Sequence, residues 1–503
     1  MSFIGRFRDL SLEITVFVSG GLLMTFEIIG SRILSPFIGT STYVWTSLIG
    51  VILASLSLGY WMGGRMADRR PDVRVLAAVL FLAGSLVSVT VLIKEIALSF
   101  IAGIPVGIEL QSLFAALLLF APASICLGIV TPYAVKMRMN ALDAAGRTVG
   151  RLYALSTVGS IAGTFLAGFF LIPFVGSVRT LYIIAGSLIG LSVMLVPMAI
   201  TRSNIAGLVL LVAAIGWSEA YAEIEVRASG LHEIDTEYSH IRLFRSVEQD
   251  GRAIQAMSID PFAVQSAIYL DTGESALKYG RFYHLARHFR PAFENVLVVG
   301  GAGYSTPREF LRRYPQARID VVEIDPRMTD IARKYFRLAD DPRLTIIHED
   351  GRMYLNRSPR EHFDVVLMDA FGSMLTVPFQ LTTVEAVRRI RDTLKDDGVV
   401  IVNLGSAVTG RGSGFLRAEL ATYREVFPRV FVFKVKPERP DDTLQNVIIV
   451  ATRSDRASSS DGGDREITEL LAHQVIDSVP SDLPVLTDDK APVEYYTSLA
   501  QGR

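Results

Sequence analysis

Val296-Leu297-Val298-Val299-Gly300-Gly301-Ala302-Gly303 decides the fold. Four apolar residues in a row, three of them β-branched, read as a strand buried on both faces, and the glycines that follow read as a tight turn. A helical stretch, Pro307 to Tyr314, comes next. A second apolar strand then runs from Ile319 and ends around Glu323 and Asp325. Strand, glycine turn, helix and strand make the first βαβ unit of a nucleotide-binding α/β sheet. The glycines let the backbone approach a ligand closely, and an acid ending the second strand can accept hydrogen bonds from ribose hydroxyls.

Working outward, the same grammar repeats. Leu344 to His348 is a strand ending in Glu349-Asp350-Gly351, and Phe363 to Met368 is a strand ending in Asp369. A helix at 383–394 precedes a strand from Val399 to Asn403. Helices are also expected at 281–289 and 327–336. Before them, Thr236 to Leu270 shows short alternating runs split by Gly251, which predict a small antiparallel β element over 236–272. The α/β core is expected over 280–453, and 453–465, rich in Ser, Asp and Gly, reads as a loop. Ligands of such sheets bind at the carboxyl ends of the strands. Gly300, Glu323, Asp350 and Asp369 each close a different strand, a pattern that suits an adenosyl ligand. The glycine run lacks a full GxGxxG, which argues against a nicotinamide dinucleotide.

The chain before this unit has a different character. Of 503 residues, 50% are hydrophobic, with a mean hydropathy of +0.36, and the excess lies in residues 1–222. Apolar segments near 11–35, 44–64, 73–94, 110–133, 150–174, 178–200 and 204–221 predict about seven transmembrane helices, since most can cross a hydrocarbon core of roughly 30 Å. The apolar core of the last, Ile205 to Trp217, is short, and 97–107 has the composition of a re-entrant piece. The first segment lacks a cleavage site and reads as a membrane helix. Residues 223–503 then form the second domain.

Arg65, Arg69, Arg70 and Arg74 collect in one loop, and Lys136, Arg138, Arg147 and Arg151 in another. The positive-inside rule puts both loops, and the N-terminus, in the cytoplasm. Seven crossings would put the second domain outside, whereas S-adenosyl compounds are kept in the cytosol. A cytoplasmic domain on a bacterial inner membrane is therefore expected, with the last segment not spanning or 97–107 adding a crossing. Glu27 and Arg32 in the first helix read either as a structural ion pair or as a substrate site. Gly59 to Pro71 resembles a loop of major-facilitator transporters. Gly150 to Gly168 carries small residues at the spacing of close helix packing.

A net charge of −1 offers no basic field for nucleic acid. Cys126 is the single cysteine and the seven histidines lack ligand spacing, so no disulfide and no metal site is expected.

The order Val296 to Glu309, Val321 to Asp325, Asp341 to Leu355, Phe363 to Ala370 and Leu394 to Asn403 resembles the spermidine synthase, or polyamine aminopropyltransferase, family over about Tyr238 to Val432. With the apolar half and the tail Leu486 to Glu494, the chain is similar to bacterial membrane-bound, major-facilitator-fused members. The resemblance implies an α-helical transmembrane bundle joined to a Rossmann-like S-adenosylmethionine-dependent transferase fold. It also implies a small-molecule substrate, and 5′-methylthioadenosine as by-product. Decarboxylated S-adenosylmethionine or S-adenosylmethionine would be co-substrate. Glu323 would hold the ribose diol, Asp350 beside Gly351 the adenine amino group, and Gly300, Gly301 and Gly303 the thioether. Asp369 would be the catalytic base. Tyr283 would assist it, and His284, Tyr304 and Phe371 would line the substrate pocket. A homodimer is open.

Two departures bear on the substrates. The family pattern GGGDGG is here Gly300-Gly301-Ala302-Gly303-Tyr304-Ser305, with Gly303 in place of the acid. The pattern DSTDP is here Asp369 to Ser373, with Gly372 in place of the second acid. Those carboxylates would grip ammonium groups, so their loss leaves donor and acceptor open and predicts a smaller or more apolar acceptor pocket. Aminopropyl transfer, lyase or cyclase chemistry on S-adenosylmethionine, another transfer to an unusual acceptor, and a ligand-sensing or transporting membrane protein all remain as readings.

Overall fold

The computed structural model describes residues 3–139, 145–196, 202–259, 263–370, 377–455, 464–476 and 479–501. The chain divides into two compact units, Met1–His240 and Ile241–Arg503.

The first unit is helical: α1 (Phe3–Ile38), α2 (Thr42–Arg69), α3 (Val73–Ala102), α4 (Ile108–Leu119), α5 (Ala121–Arg138), α6 (Ala145–Leu166), α7 (Ser177–Leu195) and α8 (Arg202–Ser229), then a short strand β1 (His232–Asp235). A π-helical stretch, Ala167–Val175, continues α6. Six of these helices are long and apolar enough to cross a membrane, or seven if the pair α4 and α5 counts as one span. The single crossing expected at 110–133 is that pair, bent by 54°. Pro122 sits in the first turn of α5, where its missing N–H and its ring break the preceding ladder. The expected boundary at 222 falls inside α8, which runs on until Gly230, at φ +63°, ends it. Residues 97–102, expected in a re-entrant piece, instead complete α3.

Glycines set how closely these helices approach. A Cβ at Gly159 would lie 1.9 Å from the Phe17 carbonyl oxygen, and one at Gly163 would lie 2.1 Å from that of Gly21. The small-residue spacing of the Gly150 to Gly168 stretch thus puts the backbones of α1 and α6 in contact. At one end, Glu13 of α1 pairs with both Arg138 and Arg151, and Lys136 meets Asp68 at 2.7 Å. Arg32 donates to the carbonyl oxygen of Glu237 at 2.7 Å. Outward faces carry large apolar side chains such as Phe100, Phe169 and Phe174, each 72% exposed.

The second unit opens with an antiparallel ladder of β2 (His240–Val247), β3 (Ala253–Ser258) and β4 (Ser266–Tyr269). A 3-10 helix, Lys278–Leu285, leads into one turn of α-helix, α9 (Ala286–Phe289), where a continuous helix was expected. The main sheet then forms from β5 (Asn295–Val299), β6 (Arg318–Glu323), β7 (Leu344–His348), β8 (Phe363–Met368), β9 (Leu394–Ser406), β10 (Arg429–Lys434) and β11 (Gln445–Thr452). Its order is β10-β11-β9-β8-β5-β6-β7, with β7, β6, β5, β8 and β9 parallel and the last two strands antiparallel.

Alternation along the strands separates two cores. Val296, Val298, Val365, Leu367, Val399 and Ile401 face one, with Phe282, Phe310 and Ile467. Leu297, Val299, Val366, Met368, Val400 and Val402 face the other, with Leu355, Val387 and Leu416. A strand covered on both faces is apolar throughout, which is why these segments read as unbroken runs. The covering helices are α10 (Ser305–Arg313), α11 (Pro326–Tyr335), α12 (Gly351–Arg357), α13 (Val384–Thr393), α14 (Gly414–Val426), α15 (Arg465–Leu471) and α16 (Val493–Gln501).

Gly163→Val would force α1 and α6 apart at a backbone contact. An overpacking loss of about 1–3 kcal/mol is expected, read as a lower Tm of the detergent-purified protein.

Candidate active site

The sheet order reverses between β5 and β8, and such a switch point opens a crevice at the carboxyl ends of the strands. Gly300 follows β5 there and Asp369 follows β8. Gly300 has φ +99°, and a Cβ on it would lie 2.7 Å from the Asp369 carbonyl oxygen. Only glycine meets both conditions. The amide of Asp369 donates to Val299 and that of Gly300 to Val322, each at 2.9 Å. The turn and the acid are thereby locked to the sheet.

Glu323 ends β6 and lies beneath the turn. Its Oε2 accepts from the amides of Gly301 at 2.8 Å and Ala302 at 3.0 Å, and its Oε1 from that of Asp325 at 3.0 Å. Burial pushes its carboxyl above the usual range, against these amides. The Gly303 amide donates to Ser266 Oγ at 2.8 Å, and a Cβ at Gly303 would meet Ser266 at 2.7 Å and Phe336 at 3.0 Å. The place a side chain at 303 would take is filled by Ser266, from β4, and Phe336. Gly351 allows the first turn of α12 to press on Val299, 2.8 Å from where its Cβ would stand.

Asp369 stands at the centre of a buried hydrogen-bonded group. Its Oδ2 accepts from the Tyr279 hydroxyl at 3.3 Å and its Oδ1 from Asn403 Nδ2 at 3.2 Å. The Tyr283 ring stands edge-on to Tyr279 at 6.0 Å, and its hydroxyl is buried beside the carboxylate. Burial pushes the Asp369 carboxyl up to about 6, while the neighbouring phenols and the amide pull it down. Burial, and then the charge of Asp369, hold both phenols well above their ordinary values, so they act as donors. The cavity beside Asp369 is lined by Gln265, Ser266, Tyr279, Gly301, Ser305 and Thr306 among others. Asp369 is the one acid in this lining among the described residues. Around Asp369 the lining mixes uncharged polar side chains with Leu277, Ala302 and Pro307.

The structure brings Gly300, Gly301, Gly303, Glu323 and Asp369 together. Asp350 and Gly351 close the neighbouring strand β7, where Asp350 Oδ1 accepts from the Met353 amide at 3.0 Å and caps α12. Two assignments are corrected. His284 lies in the core, its Nδ1 on the Tyr314 hydroxyl at 2.8 Å, its Nε2 on Glu309 at 3.2 Å and its ring stacked on Phe310. Tyr304 takes a left-handed backbone (φ +56°), which turns its ring inward to bond Thr329 Oγ1 at 2.7 Å. Neither lines the cavity. Phe371 and Gly372 lie outside the described residues. Tyr279, Ser266 and Asn403 are additions. Asn403 carried a readable sign, a polar residue closing the apolar run Val399 to Val402, as Glu323 and Asp369 close theirs.

A buried carboxylate with an elevated pKa, beside a glycine turn at a switch point, marks a candidate active site in an α/β fold. Residues 280–435 match the spermine/spermidine synthase domain. A polyamine aminopropyltransferase from Vibrio vulnificus is 30% identical over 222 residues, covering 43% of this chain and 72% of that protein. Polyamine aminopropyltransferase 1 of Streptomyces coelicolor is 25% identical over 433 residues, 78% of this chain and 76% of that one. That match is too long to lie within Ile241–Arg503 alone and so extends into the helical unit. The crystal structure of a probable spermidine synthase from Corynebacterium glutamicum aligns at a TM-score of 0.41 and 26% identity, over 54% of this chain and 95% of that one. The chain belongs to the polyamine aminopropyltransferase family of spermidine synthase-type transferases.

Gly300→Ala would drive a methyl group into the Asp369 peptide. A stability loss of about 1–3 kcal/mol is expected by thermal unfolding, with activity falling further than the folded fraction because Asp369 is displaced.

Proposed function

We propose that this chain is a membrane-anchored aminopropyltransferase in which Asp369 is the general base. The observation that carries this reading is the Asp369 carboxyl, buried at the switch point, held by Tyr279 and Asn403, with its pKa near 6. A sulfonium is a good leaving group and needs no acid. The attacking amine must lose a proton, and a carboxylate half-protonated near pH 6 is suited to take it. The nitrogen lone pair forms the new C–N bond to the propyl carbon, the C–S pair returns to sulfur, and 5′-methylthioadenosine leaves. The proton passes to Asp369. Glu323 would hold the ribose diol through its remaining lone pairs, Asp350 would face the adenine, and the glycine turn would cover the sulfur. Alignment of nitrogen, carbon and sulfur is a positioning effect.

Decarboxylated S-adenosylmethionine is the donor that the family suggests. The lining favours a second reading, use of S-adenosylmethionine itself. Burying a cation without a partner is costly, and the described lining offers one carboxylate for the ammonium groups of donor and acceptor together. The exposed apolar faces of the helical unit and its six long apolar helices support a bilayer anchor, with the second unit on the cytoplasmic side, where such donors are kept.

The test uses detergent-purified protein with each donor, with and without a diamine, and follows methylthioadenosine by mass spectrometry. Release only from the decarboxylated donor plus amine supports aminopropyl transfer. Release from S-adenosylmethionine alone moves the protein to lyase chemistry, and binding without turnover sinks both readings. Asp369→Asn is expected to lower kcat by about 10²–10⁴-fold with donor binding retained. Since the base must be unprotonated, kcat/KM of the native enzyme should fall about tenfold per pH unit below roughly pH 6 and level off above it.

A further inference from the structure

We propose that Asn446, a residue outside the described cavity lining, is a positioning residue that fixes which end of the Asn403 amide faces Asp369. This rests on the reading of Asp369 as the base. Asn446 lies at the start of β11 and pairs across the ladder with Gly405 of β9. Gly405 has no side chain, so the Asn446 side chain can lean diagonally along the shared face towards Asn403, two residues away. There Asn446 Nδ2 donates to Asn403 Oδ1 at 3.0 Å, and Asn403 Nδ2 donates to Asp369 Oδ1 at 3.2 Å. Asn403 is buried, at 5% exposure, so water does not substitute freely for either partner.

The two ends of an amide are nearly the same size, and hydrogen bonds decide its orientation. While Asp369 is ionised it accepts only, and a donor must face it. Once Asp369 is protonated, its own preference fades and Asn403 could turn its oxygen inward, which would hold the acid form. Asn446 blocks that turn by donating to the Asn403 oxygen from behind. The relay therefore favours the carboxylate, the form that a base needs, without Asn446 entering the site. The titratable groups facing Asp369 are the Tyr279 and Tyr283 phenols of the 3-10 helix. The element carrying Asn403 brings a neutral amide, and no charged side chain contributes at Asp369 among the described residues.

The experiment measures kcat/KM against pH for the full-length protein in detergent, in the native form and as Asn446→Leu, Asn403→Leu, the double variant and Asp369→Asn. Asn446→Leu keeps size and adds no charge; Asn446→Ala replaces it if leucine does not fold. Loss of the donor should move the acidic limb to higher pH by about half a unit. The loss is then about threefold below the limb and under twofold on the plateau. A merely structural role would lower the whole profile and leave the limb in place. Because Asn446 acts through Asn403, the double variant should show the limb of Asn403→Leu alone. An unmoved limb in Asn446→Leu, or additive shifts in the double variant, overturns the inference. If Asp369→Asn keeps both activity and limb, the failure belongs to the reading of Asp369 as base.

Discussion

Everything at the site depends on one contact without a side chain, the passage of Gly300 over the peptide after Asp369. After these two parallel strands the chain goes to opposite faces of the sheet, and the turn after β5 passes over the end of β8. A Cβ at position 300 would occupy the space of the Asp369 carbonyl. With hydrogen there, the turn closes onto the sheet, Glu323 reaches its amides, and Asp369 is held at the floor of the cavity. The two hydrophobic cores clamp the opposite faces of β5 and β8, so distant residues such as Phe310 and Leu416 contribute to this register through the strands they cover.

The electrostatics follow from the same enclosure. A carboxylate taken out of water is destabilised, and here it is compensated by neutral donors instead of a cation. Arg or Lys at that distance would have pushed the pKa below the ordinary value and left a poor base. Phenol and amide donors retain the anion while keeping it basic enough to accept a proton.

How much of this can be read from the chain depends on range. Strands β5 to β9 are legible because double-sided burial makes them continuous apolar runs, and their closing residues mark the ligand edge. The antiparallel strands β10 and β11 break the alternation of strand and helix and are not announced by it. Side-chain direction is the other limit. Position along the chain puts His284 and Tyr304 beside the site, but a left-handed backbone turns Tyr304 inward, and Tyr314 and Glu309, 25 or more residues away, claim the His284 ring. Tyr279 belongs to the site only because a 3-10 helix carries it over β8. In the helical unit, composition finds the spans, whereas the break at Phe120 comes from the backbone chemistry of Pro122.

The Gly301 and Ala302 amides both donate to Glu323. The glycine turn, pliable backbone by composition, is thus fixed by a carboxylate at the end of the neighbouring strand. A ligand arriving at such a turn finds its shape already made and loses little ordering entropy in shaping it. Association should resemble docking onto a rigid edge, with affinity differences among related ligands residing in how fast they leave.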